Sequence, residues 1–369
     1  MKILITTDTY TSMVNGVVRS IVNLKNILTD MGNEVRVMTL SERNYSYKNE
    51  EVYYIKSIRV NPIYPNARFS FNKKDELVRE IIDWNPDIIH SQSEFSSFYI
   101  ANKIKKECNC PIVHTYHTIY EDYTHYFSPS KVWGTKIIRR FTRLIANYSD
   151  YIIAPTQKTK DILKKYDIDD NKILISPTGI EISDTKPVRD EKYILYLGRI
   201  AKEKNIKELI DYYKKLDTNY KFVIAGDGPY RKELMEYVND SNIEFVGMVN
   251  PDEVSNYYKN AIVFISASTS ETQGLTYIEA LSNGAVCIVR KDKCIENVII
   301  DGFNGYSYEN FNQFKNFVEY VIQNDSLREN MSNNAYDYAK DNFSIESFGK
   351  RTFEIYNKAI DKISYKISA

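Results

Sequence analysis

The chain predicts two doubly wound α/β domains in tandem, on three observations: its length and charge balance, an alternation of short apolar runs with helical patterns, and polar motifs at the ends of those runs. At 369 residues and zero formal net charge, it is long enough for two compact domains and too balanced for a dedicated nucleic-acid binder. No nucleic-acid partner is expected.

The first half carries strand-like runs at Lys2 to Thr7, Glu34 to Thr39, Ile88 to His90, Ile112 to Thr115 and Tyr151 to Ala154, with a helix from about Val17 to Met31. Such alternation indicates a parallel sheet wound on both faces. A second series follows the loose segment Asp184-Thr-Lys-Pro-Val-Arg-Asp190, with strands at Tyr193 to Leu197, Phe222 to Ala225, Ile243 to Phe245, Ile262 to Ser266 and Val286 to Val289. The expected domains are therefore 1–183 and 184–344. The amphipathic pattern from Ile345 to Ile363, within 345–369, is expected to form a helix that packs back on the first domain. Two such domains leave a cleft between facing strand ends, where open sheets bind ligands.

The amino terminus runs straight into a strand with no basic leader, so no export signal is visible and a cytoplasmic location is expected. No apolar run approaches the roughly 20 residues of a membrane span, which makes any membrane contact peripheral. Cys108, Cys110, Cys287 and Cys294 lack paired zinc-site spacing and are read as structural. His114 and His117, three apart after a strand, should point to opposite faces, so no metal site is expected there.

Between Ser270 and Ala280 the chain reads Ser-Glu-Thr-Gln-Gly-Leu-Thr-Tyr-Ile-Glu-Ala. This places Glu271 at the mouth of a helix and Glu279 two turns down it, just beyond an apolar strand. Backbone amides at Gly274, Leu275 and Thr276 would be free there to attract an anion such as a diphosphate. Gly198-Arg199 closes another strand and Lys204 follows, putting two cations at a helix start where the dipole disfavours structural positive charge. Gly226-Asp-Gly228 lacks the third glycine of a dinucleotide fingerprint and reads as a turn. The backbone at Gly247 and Met248 could bond a base edge. Gly16 sits in a small-residue loop, Asn15-Gly-Val-Val18, that could approach sugar or phosphate or could be a plain turn.

His117 lies in a loop dense in ionisable and aromatic groups, His114 to Tyr126, and could donate a hydrogen bond or orient an acceptor hydroxyl; a satisfied buried histidine is the bland alternative. From Tyr123 to Ser149 there is no acidic residue. On a helix, Trp133, Ile137, Phe141 and Leu144 share one face and Lys136, Arg139, Arg140 and Arg143 another. With Lys131, the segment 131–145 suits an anionic bilayer surface or a core-packed helix with a solvated basic side.

Taken together, Gly198-Arg199, Lys204, Gly226-Asp-Gly-Pro229, Ser270-Glu-Thr-Gln-Gly-Leu275 with Glu279, and Asp301-Gly-Phe-Asn-Gly305 resemble the retaining GT-B glycosyltransferases whose signature is a Glu, seven residues, then Glu. The order and spacing match over nearly the whole chain. The resemblance implies two Rossmann-like domains facing across a cleft and a UDP-sugar donor, with no tightly bound cofactor and no required divalent metal. It implies that Arg199 and Lys204 hold the diphosphate, Glu279 the ribose, Glu271 the sugar, and the backbone near Gly247 and Met248 the base.

The match is closer still to bacterial glucosyltransferases that make monoglucosyldiacylglycerol, through Asp8-Thr-Tyr10, Asn15-Gly-Val17, His114-Thr-Tyr-His-Thr118, Tyr120-Glu-Asp-Tyr-Thr-His-Tyr126 and Thr272-Gln-Gly-Leu-Thr-Tyr277. A proline common near Ser12 is absent, and Ala285 stands where another often precedes a strand. This resemblance implies UDP-glucose as donor, diacylglycerol as acceptor, and a peripheral position on the inner face of the cell membrane. Such enzymes are described as attacking from the front face, the acceptor losing its proton to the departing phosphate. A polysaccharide or teichoic-acid precursor as acceptor, a silent nucleotide-sugar-binding subunit, and a sugar-nucleotide epimerase are the competing readings.

Overall fold

The computed structural model describes residues 1–10, 16–60, 68–121 and 130–368, with the backbone alone for residues 131 and 365–368. Ser12, Asn15 and the stretch Tyr123–Tyr126 with His125 lie outside the described residues, as does the Lys131 side chain. The chain divides into two units: residues 1–179 joined by the stretch from Ile345 onward, and residues 180–344.

Unit 1 holds β1 (Lys2–Thr6), α1 (Gly16–Asp30), β2 (Glu34–Leu40), β3 (Tyr47–Asn49), β4 (Val52–Ile55), β5 (Ile58–Arg59), β6 (Arg68–Phe69), α2 (Glu76–Trp84), β7 (Ile88–Ser91), α3 (Ser96–Cys108), β8 (Ile112–Thr115), α4 (Lys131–Tyr148), β9 (Tyr151–Ala154), α5 (Gln157–Lys165) and β10 (Ile173–Ile175). Its main sheet runs β10-β9-β8-β7-β1-β2-β4-β3, parallel except at β3, while β5 and β6 pair apart from it. The strands are apolar almost throughout because helices cover both faces of a parallel sheet; all four residues of β7 and of β8 are buried. Side chains close the helix ends: the Asp75 carboxylate accepts from the Leu77 amide at the start of α2, and Asn85 ends it in the left-handed region.

Unit 2 holds β11 (Tyr193–Leu197), α6 (Ile206–Tyr213), β12 (Lys221–Ala225), α7 (Arg231–Tyr237), β13 (Ile243–Gly247), α8 (Val254–Lys259), β14 (Ala261–Ser266), α9 (Leu275–Ser282), β15 (Cys287–Arg290), β16 (Gly305–Tyr308), α10 (Phe311–Gln323) and α11 (Asp325–Phe343). The sheet runs β13-β12-β11-β14-β15-β16. This all-parallel order reverses direction between β11 and β14, and ligands of such sheets bind beyond the strand ends at that reversal. In unit 1 the corresponding reversal falls between β1 and β7. The last helix, α12 (Ile345–Ser368), returns to unit 1, where Phe348, Ile355, Tyr356 and Ala359 join Ile3, Leu24 and Val37 in one core.

The expected strands are present, with ends shifted by a residue or two. The edge strands β3, β10 and β16, the inner strand β4 and the β5–β6 pair have no counterpart in the sequence reading. The Gly226-Asp-Gly228 turn has a packing reason: Ile200 N–H donates to the Asp227 carbonyl at 2.9 Å, and a Cβ on Gly226 would lie 2.0 Å from the Gly198 carbonyl oxygen. No side chain fits between these two loops.

Candidate active site

In unit 2 the polar loops converge where β11 and β14 diverge. Arg199 follows β11 and is exposed, and its guanidinium has no partner among the described residues. Lys204 does not begin a helix, as the sequence suggested. It closes a 3-10 turn, Lys202–Lys204, and α6 starts only after Asn205 takes the left-handed region. The dipole argument made for it therefore falls away. Its Nζ instead donates to Glu271 Oε1 at 2.5 Å, an ion pair four-fifths buried on both sides. Ser268 Oγ donates to the same oxygen at 2.9 Å, which fixes the Glu271 carboxylate from two directions.

The helix itself also begins later than expected. Glu271 stands four residues ahead of α9, and Glu279 lies one turn into it rather than two. The cause is Gly274, whose φ of 72° breaks the helical run; a Cβ there would stand 2.4 Å from the Tyr277 ring. Gly274 thus permits the sharp entry that points the first amides of α9, at Leu275 and Thr276, out of the strand end, and first-turn amides have no acceptor within a helix. Gly198 adjoins this corner: a Cβ on it would come within 3.9 Å of the Thr276 methyl carbon. Glu279 Oε2 accepts from the Tyr258 hydroxyl at 3.3 Å. The Gly247 carbonyl accepts from Gly226 N–H at 2.7 Å, and Met248 is 79% exposed. One unit therefore brings together Gly198, Arg199, Lys204, Glu271, Gly274, Leu275, Thr276 and Glu279, with Gly247 and Met248 on the neighbouring loop beyond β13. Gly16, the first residue of α1, and His117 belong to unit 1.

Unit 1 gathers a second polar cluster beyond β1, β7 and β8. His117 lies past the end of β8, half-buried, with Nε2 2.6 Å from Gln92 Oε1; burial pushes its pKa down to about 4. Gln92 also contacts His90, whose Nδ1 meets the Tyr356 hydroxyl at 2.6 Å and whose Nε2 meets Thr115 Oγ1 at 2.7 Å. Glu94 is buried and accepts from the Tyr120 hydroxyl at 2.7 Å, with His114 Nε2 3.5 Å from its other oxygen. Burial disfavours its charge, but His114 and Tyr120 outweigh this and hold the carboxyl below its usual range. Gln92 and Glu94 were missed at the sequence level. Their signal was the polar run Gln92-Ser-Glu94 directly after a strand.

Asp8 closes this cluster. Its Oδ1 accepts from the Ser97 amide at 2.8 Å, while Oδ2 is buried with no partner among the described residues. Burial raises its pKa from 3.8 to about 6, with the Glu94 charge adding to the rise. The folded state thus holds this proton more tightly than the unfolded chain, and the Asp8 contribution falls as pH rises from 3.8 to about 6. His117, with its folded value lowered, acts oppositely and costs stability as pH falls. Asp8→Asn is expected to stabilise the protein above the raised value by on the order of 2 kcal/mol. Denaturant unfolding of variant and wild type across this range checks it: parallel stability profiles would refute the assignment.

Helix α4 presents three faces, not the two expected. Gly134, Ile138, Thr142, Ile145 and Ala146 are buried. Trp133, Ile137 and Leu144 are more than half or half exposed, at 67%, 56% and 50%. Beside that stripe lie the cations. Arg143 pairs with Asp167, and Arg139 stands 3.8 Å from Glu121; Lys136 and Arg140 form no ion pair with another described residue. The helix is core-packed, but through Ile138, Ile145 and Ala146 with Phe141 beside them, while Trp133, Ile137 and Leu144 of the expected apolar face stay open. Among the described residues no helix is long and apolar enough to cross a membrane.

Residues 14–184 match the family model described as Glycosyltransferase Family 4, and residues 180–338 match Glycosyl transferases group 1. The chain is 34% identical, over 98% of its length and 86% of the relative's, to a Streptococcus pneumoniae protein named Alpha-monoglucosyldiacylglycerol synthase. It is 30% identical, over 100% of both, to the protein of the same name from Acholeplasma laidlawii. Among solved structures, Anabaena HepE in complex with UDP and glucose superposes with a TM-score of 0.73 at 15% identity, covering 97% of this chain and 100% of that one. With two parallel doubly wound units, a family 4 match on the first and a group 1 match on the second, the chain is a glycosyltransferase of the GT-B fold and belongs to this family.

Proposed function

We propose that this enzyme transfers glucose from UDP-glucose to the free hydroxyl of a diacylglycerol, with retention at the anomeric carbon, on the inner face of the cell membrane. The observation that carries the reading is the end-to-end similarity to two proteins named for alpha-monoglucosyldiacylglycerol synthesis. Unit 2 takes the donor. Arg199, Lys204 and the amides of Leu275 and Thr276 meet the diphosphate, Glu279 the ribose, Glu271 the glucose, and the backbone at Gly247 and Met248 the base. Preorganised cations and a helix N-terminus stabilise a departing phosphate without a divalent metal. Unit 1 takes the acceptor beside His117, and the hydroxyl proton passes to the leaving phosphate, so no side-chain nucleophile is needed. Incubation with radiolabelled UDP-glucose and diacylglycerol in mixed micelles tests the reading: label must enter the lipid extract as an α-glucoside. Label found only as free glucose, or only on a water-soluble glycan, would exclude it.

The open stripe on α4 supports the membrane arm. An apolar face flanked by unpaired cations binds anionic bilayers, at about 1 kcal/mol per cation. Lys136→Gln combined with Arg140→Gln is expected to weaken binding to phosphatidylglycerol vesicles by roughly 30-fold at low salt, and to leave UDP binding intact. Vesicle flotation at low and high salt measures this; unchanged flotation at low salt would remove α4 from the interface.

A further inference from the structure

We propose that a groove between β6, α3 and α4 in unit 1 holds an acyl chain of the acceptor lipid, an inference that rests on the diacylglycerol reading above. The groove encloses about 480 Å³, within the usual range of small-ligand sites. Its lining is a run of aromatic rings. Tyr99 meets Phe71 at 5.7 Å between centroids, Phe71 meets Phe69 at 6.2 Å, Phe69 meets Phe95 at 6.3 Å, and Phe95 stacks on Phe141 at 5.5 Å. Phe71, Phe95 and Tyr99 remain 70%, 44% and 42% exposed. A contiguous open patch of large rings marks a surface that some apolar partner covers.

The two ends of the groove define that partner. At the inner end the rings reach the polar cluster: Phe95 lies 6.3 Å from Tyr120, whose hydroxyl donates to Glu94, itself part of the lining. At the other side stand three lysines, Lys73, Lys103 and Lys106, against one carboxylate, Glu107, with Leu144 and Tyr148 from α4. The occupant is therefore apolar along its length, ends near groups that bond a hydroxyl, and passes beside cations suited to an anionic bilayer. Several polar groups beside the rings already have partners. Asn102 Nδ2 donates to the Phe98 carbonyl at 3.0 Å, Lys103 Nζ to the Lys73 carbonyl at 2.7 Å, and Ser96 Oγ accepts from the Ser70 amide at 3.0 Å. Along the rings themselves a peptide or a sugar would find few partners, whereas a methylene chain needs none.

A chain drawn from a bilayer gains little, since it leaves one apolar medium for another; a chain drawn from water gains about fourfold in affinity per methylene buried. The test therefore uses monomeric short-chain diacylglycerols in water without vesicles, from dibutyryl to dioctanoyl. For the wild type, KM for the acceptor is expected to fall several-fold with each added methylene until the groove is full, with KM for UDP-glucose unchanged. Phe71→Ala with Tyr99→Ala, both exposed rings, is expected to raise KM for the dioctanoyl acceptor about tenfold and to spare the dibutyryl one. Asn102→Trp, which fills the groove from α3, is expected to do the same. If the wild type transfers to every acceptor with one KM, or if both variants follow its profile, the groove assignment is wrong and the transferase reading stands. If the wild type glucosylates no diacylglycerol at all, the underlying reading fails and takes the groove with it.

Discussion

Arg199→Ala and Glu271→Gln are each expected to fold normally and to lose transfer by on the order of 10²-fold or more, the usual loss when one preorganised stabiliser of developing charge is removed. The structure separates the two variants. Arg199 is exposed and bonds no other described side chain, so its removal costs the fold little and takes positive charge directly from the diphosphate. Donor affinity and turnover should fall together. Glu271 is held by Lys204 at 2.5 Å and by Ser268 at 2.9 Å. Glutamine keeps its shape but leaves Lys204 without a counter-charge. Turnover should collapse while affinity for UDP stays the same or rises, because Lys204 is then wholly available to an anion. UDP titration beside initial rates distinguishes the patterns. Near-native turnover in both variants would end the assignment of this site.

His117→Ala is expected to cut transfer to diacylglycerol by about 10²-fold, the lower end of what a positioned proton-handling group supplies, and to leave UDP binding within about twofold because the groups proposed for the donor lie in unit 2. The argument turns on the tautomer. Gln92 Oε1 can only accept, so His117 Nε2 carries the proton at 2.6 Å and Nδ1 keeps the lone pair that can accept from a hydroxyl. With its pKa pushed down to about 4, the ring stays neutral through the ordinary imidazole range. The acceptor-side rate should therefore show no inflection near the usual histidine value. Gln92→Leu should reduce transfer in the same direction by loosening the ring. A His117→Ala enzyme that transfers normally would sink the acceptor role and leave the donor site untouched.

The doubly wound architecture was legible because buried parallel strands read as continuous apolar runs, and because their carboxyl ends carry the glycines and charges of the chain. What was not legible has local causes. The β3–β4 hairpin turns at Glu50, with a φ of 51°, where no Asn-Gly or Asp-Gly pair announces a turn. The start of α9 was placed too early because Thr272 and Gln273 suit a helix, and only the left-handed Gly274 ends that option. In unit 1 the gap is one of distance along the chain. Asp8, Gln92, Glu94, His117 and Tyr120 come from three separate strand ends, and no periodicity links them. Asp8 and Tyr120 were noticed as parts of a resembling motif; Gln92 and Glu94 carried no motif at all. The third face of α4 escaped because a two-sided reading gave every apolar residue to one stripe and left Ile138, Ile145 and Ala146, which do the core packing, unassigned.

The return of α12 to unit 1 carries a consequence for truncation. Unit 2 is one uninterrupted stretch, 180–344, so its core needs no residue from outside that stretch. Unit 1 is not, since Phe348, Ile355, Tyr356 and Ala359 complete a core begun at Ile3. The Tyr356 hydroxyl that meets His90 Nδ1 at 2.6 Å arrives 266 positions after its partner. A chain ending near Ser344 would therefore contain every residue of the unit 2 core, while unit 1 would still lack Phe348, Ile355, Tyr356 and Ala359.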